Sequence, residues 1–149
     1  MSKEKIIIKN AILILLMIGG FFFLCKAFGL EENPFLRFLN LVFVLVGIRE
    51  AVKTNVFKNK ETSYAQNAGV AFGTSILGVL LSTIGVVIYI EFINPDFLEA
   101  MNNSFLIGGN LSIYELAFTL VIEGLASSVV GSLIVMQFYK NHNKEQVKA

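Results

Sequence analysis

The sequence predicts an all-α integral membrane protein, an antiparallel bundle of four transmembrane helices that forms one domain over residues 1–149. Hydrophobic residues make up 55% of the chain and charged residues only 15%, and the mean hydropathy is +0.70. A soluble domain is closer to half apolar and a quarter charged. Three long apolar runs and one shorter run are separated by short polar segments, and each is assigned to a helix of the roughly 20 residues that are needed to cross a bilayer.

The first span is expected at about residues 6–28. Lys3, Lys5 and Lys9 precede its apolar run, as they would in a secretory signal peptide, but no small-residue cleavage site follows the run. We therefore interpret this segment as a retained transmembrane helix.

The second span, at about residues 34–56, is the least apolar of the four. Its strictly apolar part covers only 41–48, and four charged residues flank it: Arg37, Arg49, Glu50 and Lys53. Such a segment must tilt, or place its charged end among the other helices and the lipid head groups.

The third and fourth spans, at about 68–93 and 113–138, are predicted to pack against each other. Each carries small residues at three- and four-residue spacing, which allows helices in lipid to approach closely. The positions that we expect at these helix contacts are Ser75, Gly78, Ser82 and Gly85 in the third span, and Gly124, Ser128 and Gly131 in the fourth. An amphipathic segment at about 95–103 is expected at the membrane interface, and a basic tail covers 140–149.

Positive charge predicts the orientation of the bundle. Of the 12 Lys and Arg residues, all except Lys26 and Arg37 fall on one side of a four-span topology. Because Lys and Arg are enriched in cytoplasmic segments, both termini are expected in the cytoplasm.

Glu123 is the main candidate for a functional residue. It lies roughly 13 Å into the membrane from the outer side, at a rise of about 1.5 Å per residue, where a carboxylate is costly and normally has a partner. It can be a protonated structural group, a proton or cation site, or half of an ion pair. Lys26 is the expected partner, because its side chain leans towards the same level, and Arg49 is the second choice. Glu115 lies two turns before Glu123 on the same helix face.

Enzyme signatures are missing from the sequence. The single histidine, His142, lies in the tail, so neither a metal site nor a Ser–His pair is expected. No Gly-rich phosphate loop is present, and no cofactor is predicted. A net charge of +1 argues against a nucleic-acid partner. The expected partners are the lipid bilayer and either further copies of this chain or another membrane protein.

Two segments of the chain carry a family resemblance. They are LVFVLVGIREAV at 41–52 and AQNAGVAFGTSILGVLLSTIGVVIYIEFINPDF at 65–97. These segments resemble the domain of unknown function 4199 family, small four-helix inner-membrane proteins found mainly in Bacteroidota. The family usually has a Lys in the Gly-x-x-Phe-Gly region, whereas Val70 to Thr74 is uncharged here. The resemblance implies a bacterial inner-membrane location and neither catalytic residues nor an established activity.

Two functional hypotheses follow. In the first, the protein is a non-enzymatic membrane protein, an accessory subunit or a homo-oligomer. In the second, it is a small proton-coupled transporter or ion-conducting protein that uses Glu123.

Overall fold

The computed structural model describes residues 1–30, 33, 35–104 and 110–141. The regular structure in this part of the chain is all helical, which confirms the all-α part of the prediction. It contains five α-helices and one π-helical turn: α1 (Lys3–Ala27), α2 (Leu36–Phe57), α3 (Tyr64–Ile88) with its π-helical extension (Tyr89–Ile93), α4 (Phe97–Ser104) and α5 (Ile113–Tyr139). Serine side chains cap α1, α3 and α5 at their N-termini: Ser2, Ser63 and Ser112.

Three of the described helices are long and apolar enough to cross a membrane: α1, α3 with its π-helical turn, and α5. Many of their large apolar side chains are exposed on the outside of the bundle, as expected where lipid is the solvent. The charged residues of α2 keep it outside this group, although its 22 residues are also sufficient in length.

The packing order of the helices decides which side chains can meet. Both α2 and α3 pack against α1 and against α5. Ile14 of α1, which is fully buried, lies between Gly47 of α2 and Gly78 of α3. A Cβ at Gly47 would clash with Ile14, and one at Gly78 would lie 3.0 Å from Ile14 Cδ1. These glycines therefore set the close approach of three helices.

One end of the bundle is held together by amide side chains. Asn55 Nδ2 donates to Asn67 Oδ1 at 2.8 Å, and both residues are fully buried. Asn67 Nδ2 donates to the carbonyl oxygen of Glu61 at 3.1 Å, and Lys3 Nζ lies 3.0 Å from Glu61 Oε2. The start of α1 and the α2–α3 loop consequently lie at the same end.

The opposite end is covered by α4. Phe22, Tyr89 and Phe97 pack edge to face, with ring centroids 5.0–5.4 Å apart. Met101 of α4 and Leu116 of α5 are buried in the same cluster. The segment expected at the membrane interface therefore packs against the ends of three other helices.

Candidate functional site

A cavity of about 760 Å³ lies between the helices, and all five contribute to its lining. Most of the lining is apolar, and α1 supplies Gly19, Gly20 and Cys25. A Cβ built at Gly19 or Gly20 meets nothing within 4 Å, so these two glycines leave space instead of allowing a neighbouring helix to approach. A volume of this size is within the range of about 300–1,000 Å³ that is typical of ligand sites.

An ion pair crosses one wall of the cavity. Arg37 Nη2, in the first turn of α2, lies 3.0 Å from Glu123 Oε2 and 3.3 Å from Oε1. Both residues line the cavity. The Arg37 side chain is 24% exposed and the Glu123 side chain 54% exposed. The pair joins α2 to α5, and the carboxylate is the more accessible member.

The structure corrects the expected partner of Glu123. Lys26 does not pair with Glu123 but donates from Nζ to Tyr89 Oη at 2.6 Å. The physical reason is the order of packing: α1 packs against α2 and α3, while α5 packs against the other sides of the same two helices. Arg37 on α2 therefore lies beside α5, whereas Lys26 on α1 lies beside the end of α3.

The other two charged candidates also have local partners. Arg49 Nη1 lies 3.1 Å from Glu50 Oε1 at the exposed surface of α2, so Arg49 is not the partner of Glu123 either. Glu115 forms a capping box with Ser112: the Ser112 N–H donates to Glu115 Oε2 at 2.8 Å, and Ser112 Oγ accepts from the Glu115 N–H. The Glu115 carboxylate therefore caps the N-terminus of α5. Of the two glutamates, Glu123 is the one that lines the cavity.

The small residues that were expected between the third and fourth spans divide among several contacts. Ser75 Oγ lies 3.4 Å from Ser132 Oγ, and a Cβ at Gly124 would clash with Val79, so these residues do lie between α3 and α5. Ser128 is buried on α5 without a hydrogen-bond partner in the described structure. The others face elsewhere: Gly78 and Gly85 face α1, Gly131 faces α2, and Ser82 lines the cavity.

Sequence reasoning missed two features of this site. Arg37 was noted as a charged residue flanking the short apolar part of the second span and as one of two basic residues on the outer side, and that rarity was the available signal for its role. The carboxamide of Asn40 lies one turn from Arg37 and also lines the cavity. No pattern in the sequence distinguishes a glycine that opens a cavity from one that permits close packing.

Some predictions lie outside the described residues. They concern His142 and the remainder of the basic tail, 142–149. Within the described part of the chain, no cluster of three or more His, Cys, Asp or Glu residues is suited to a metal ion.

The comparisons with known proteins give one match. The model of the DUF4199 family, described as a protein of unknown function, matches residues 9–141. No curated protein and no solved structure matches the chain. The family match covers most of the sequence and confirms the resemblance seen at 41–52 and 65–97, so the chain belongs to the DUF4199 family.

Proposed function

We propose that the protein is a non-enzymatic membrane protein that binds an apolar molecule in the cavity between its helices. The observation that carries this proposal is the cavity itself, of about 760 Å³, with one ion pair in an otherwise mainly apolar lining. Apolar walls with a few polar groups characterise small-molecule sites. An apolar molecule dissolved in the bilayer reaches such a site without crossing water.

The test is the composition of the purified protein. Native mass spectrometry in mild detergent should find one apolar molecule retained by the wild-type protein. Gly19→Leu should abolish retention, because the side chain fills open space in the cavity. Gly69→Leu is the matched control, since a Cβ at Gly69 also meets nothing within 4 Å and Gly69 lies outside the cavity. Equal retention by Gly19→Leu and the wild type would refute the proposal.

We further propose that α2 is a fourth span and that both termini lie on the cytoplasmic side of a bacterial inner membrane. In support, Glu123 neutralises the charge of Arg37 at the start of α2. Glu123 lies ten residues, or about 15 Å, after the first residue of α5. The positive-charge distribution supports the orientation. A reporter fused after Lys148 should be cytoplasmic, and an extracytoplasmic reporter would refute this topology.

A proton-coupled or ion-conducting function is the second candidate. One observation favours it: the Glu123 side chain lines a cavity and is 54% exposed. Carboxylates within membrane-spanning segments commonly mark ion pathways. In liposomes, this function predicts that Glu123→Gln abolishes flux while the fold survives. Absence of flux in the wild-type protein would exclude it.

A role as an accessory subunit or homo-oligomer remains compatible with a ligand-binding function. The exposed apolar faces of α1 and α5 suit either lipid or a second membrane helix. The mass of the purified complex, measured by native mass spectrometry, decides between a single chain and an assembly.

A further inference from the structure

We infer that the cavity binds a long-chain membrane amphiphile whose head group is neutral and donates hydrogen bonds, such as a hydroxyl group. This inference rests on the proposed ligand-binding function and adds the chemistry of the head group. It follows from the charge balance of the cavity, the unused hydrogen-bonding capacity of its polar residues, and the way in which apolar and polar surfaces are divided.

The charge balance of the described lining disfavours a net charge on the ligand. Arg37 and Glu123 are the charged residues of the described lining, and they neutralise each other. Lys26 lies outside that lining and donates to Tyr89. An anionic or cationic head group would therefore place an uncompensated charge in a mainly apolar cavity, which is costly unless the charge is paired.

The unused acceptor sites of Glu123 favour a ligand head group that donates a hydrogen bond. Within the described chain, the Glu123 carboxylate accepts only from Arg37 Nη2, although two carboxylate oxygens offer about four lone-pair sites. Glu123 is also more exposed than Arg37. A hydroxyl or amide N–H of a ligand can therefore reach Glu123 without breaking the ion pair.

Neighbouring side chains provide further neutral polar groups. Asn40 lies one turn from Arg37, and its side chain has no hydrogen-bond partner among the described residues. Ser127 lies one turn from Glu123. The polar lining residues nearest in sequence to the pair thus offer both donors and acceptors, which suits a hydroxyl head group.

The remaining lining accounts for the long chain. Aliphatic and aromatic side chains from all five helices line the rest of the cavity, including Leu15, Phe22, Val86, Met101 and Leu120. A membrane-soluble molecule with one polar end matches this division.

Three probes with the same chain test the inference: oleyl alcohol, oleic acid and oleylamine. Binding to the full-length protein in mild detergent is measured by native mass spectrometry at pH 8, where the acid and the amine are charged. Oleyl alcohol should bind at least about tenfold more tightly than oleate, which lacks the hydrogen-bond donor to Glu123, because a hydrogen bond to a charged group is worth roughly 1.5–3 kcal/mol. It should also bind more tightly than the ammonium probe, whose charge is left unbalanced because Arg37 already neutralises Glu123. Equal binding of the three probes, or preference for a charged one, would overturn the inference.

Variants of the protein test where the head group and the hydrocarbon chain of the ligand bind. Glu123→Gln should weaken oleyl alcohol about tenfold, and the double variant Arg37→Gln/Glu123→Gln covers the case in which the single variant fails to fold. Gly19→Leu should weaken all three probes equally, whereas Gly69→Leu should leave them unchanged. Unaltered alcohol binding in a folded Glu123 variant would overturn the head-group assignment. If the three probes bind equally but Gly19→Leu blocks them, the proposed function survives and this inference fails. If none of them binds, this inference fails, and the proposed function is decided by whether the purified wild-type protein retains an apolar molecule.

Discussion

The guanidinium group of Arg37 contacts the carboxylate of Glu123 at 3.0 Å and joins the first turn of α2 to the middle of α5. Among the four long helices, α2 is the only one with too much charge to qualify by composition as a membrane span. The ion pair gives Arg37, the first charged residue of α2, a partner on another helix. That partner, Glu123, lies in the wall of the cavity.

The first prediction concerns the free energy of this pair. In a double-mutant cycle, Arg37→Gln and Glu123→Gln should show a coupling of about 0.5–3 kcal/mol in the free energy of unfolding in detergent. Lys26→Met combined with Glu123→Gln is the matched cycle and should be additive within about 0.5 kcal/mol. Coupling in the second cycle but not in the first would show that the pairing has been assigned to the wrong helix.

The second prediction concerns the contact between Lys26 and Tyr89. Tyr89→Phe keeps the ring in the aromatic cluster but removes the hydroxyl that accepts from Lys26 Nζ. We expect a loss of about 1.5–3 kcal/mol of unfolding free energy, the range for hydrogen bonds to charged groups. Tyr114→Phe is the control, because Tyr114 is 80% exposed. Thermal unfolding in detergent measures both, and equal stability of the two variants would argue against the contact.

The third prediction concerns the close packing around Ile14. Gly47→Ala places a Cβ against the Ile14 side chain and should cost about 1–3 kcal/mol through overpacking. Gly69→Ala meets open space and should be neutral or stabilising, because Ala favours helix more than Gly.

Combining Gly47→Ala with Ile14→Ala provides the internal check on this packing. Removal of the Ile14 side chain relieves the clash, so the double variant should be more stable than the sum of the two single losses predicts. Simple additivity would indicate that the two residues do not touch.

The fourth prediction concerns acid sensitivity at the α2–α3 loop. The Ser63 N–H, and then Lys3, hold the pKa of Glu61 below its ordinary value of 4.5. A group with a depressed folded-state pKa contributes stability above its unfolded pKa, and the contribution disappears as the pH falls through the folded value. Wild type should therefore exceed Glu61→Gln in unfolding temperature near pH 7, and the difference should shrink below about pH 4.5. A difference for Glu61→Gln that stays constant to pH 3 would contradict the assignment.

The helices themselves were predictable, because length and hydropathy depend only on local sequence. The partner of Glu123 was not, because Lys26 ends α1 and Arg37 begins α2 at the same end of the bundle, and the choice depends on which helix lies beside α5. The cavity was not predictable either. Gly19 and Gly78 are both glycines within apolar helices, yet of the two only Gly78 lies close to a neighbouring helix. Helix order and mutual tilt, which decide both questions, arise from contacts along the whole bundle.

The central claim, that an apolar molecule occupies the cavity, is tested most directly at Cys25. This residue is the chain's only cysteine, is buried, and lines the same cavity as Gly19. The measurement is the rate at which ethylmercury, a small apolar thiol reagent, modifies Cys25. Oleyl alcohol at about ten times its dissociation constant should slow that rate about tenfold in the wild-type protein and leave it unchanged in Gly19→Leu. A wild-type rate that does not change at saturating oleyl alcohol would contradict the account.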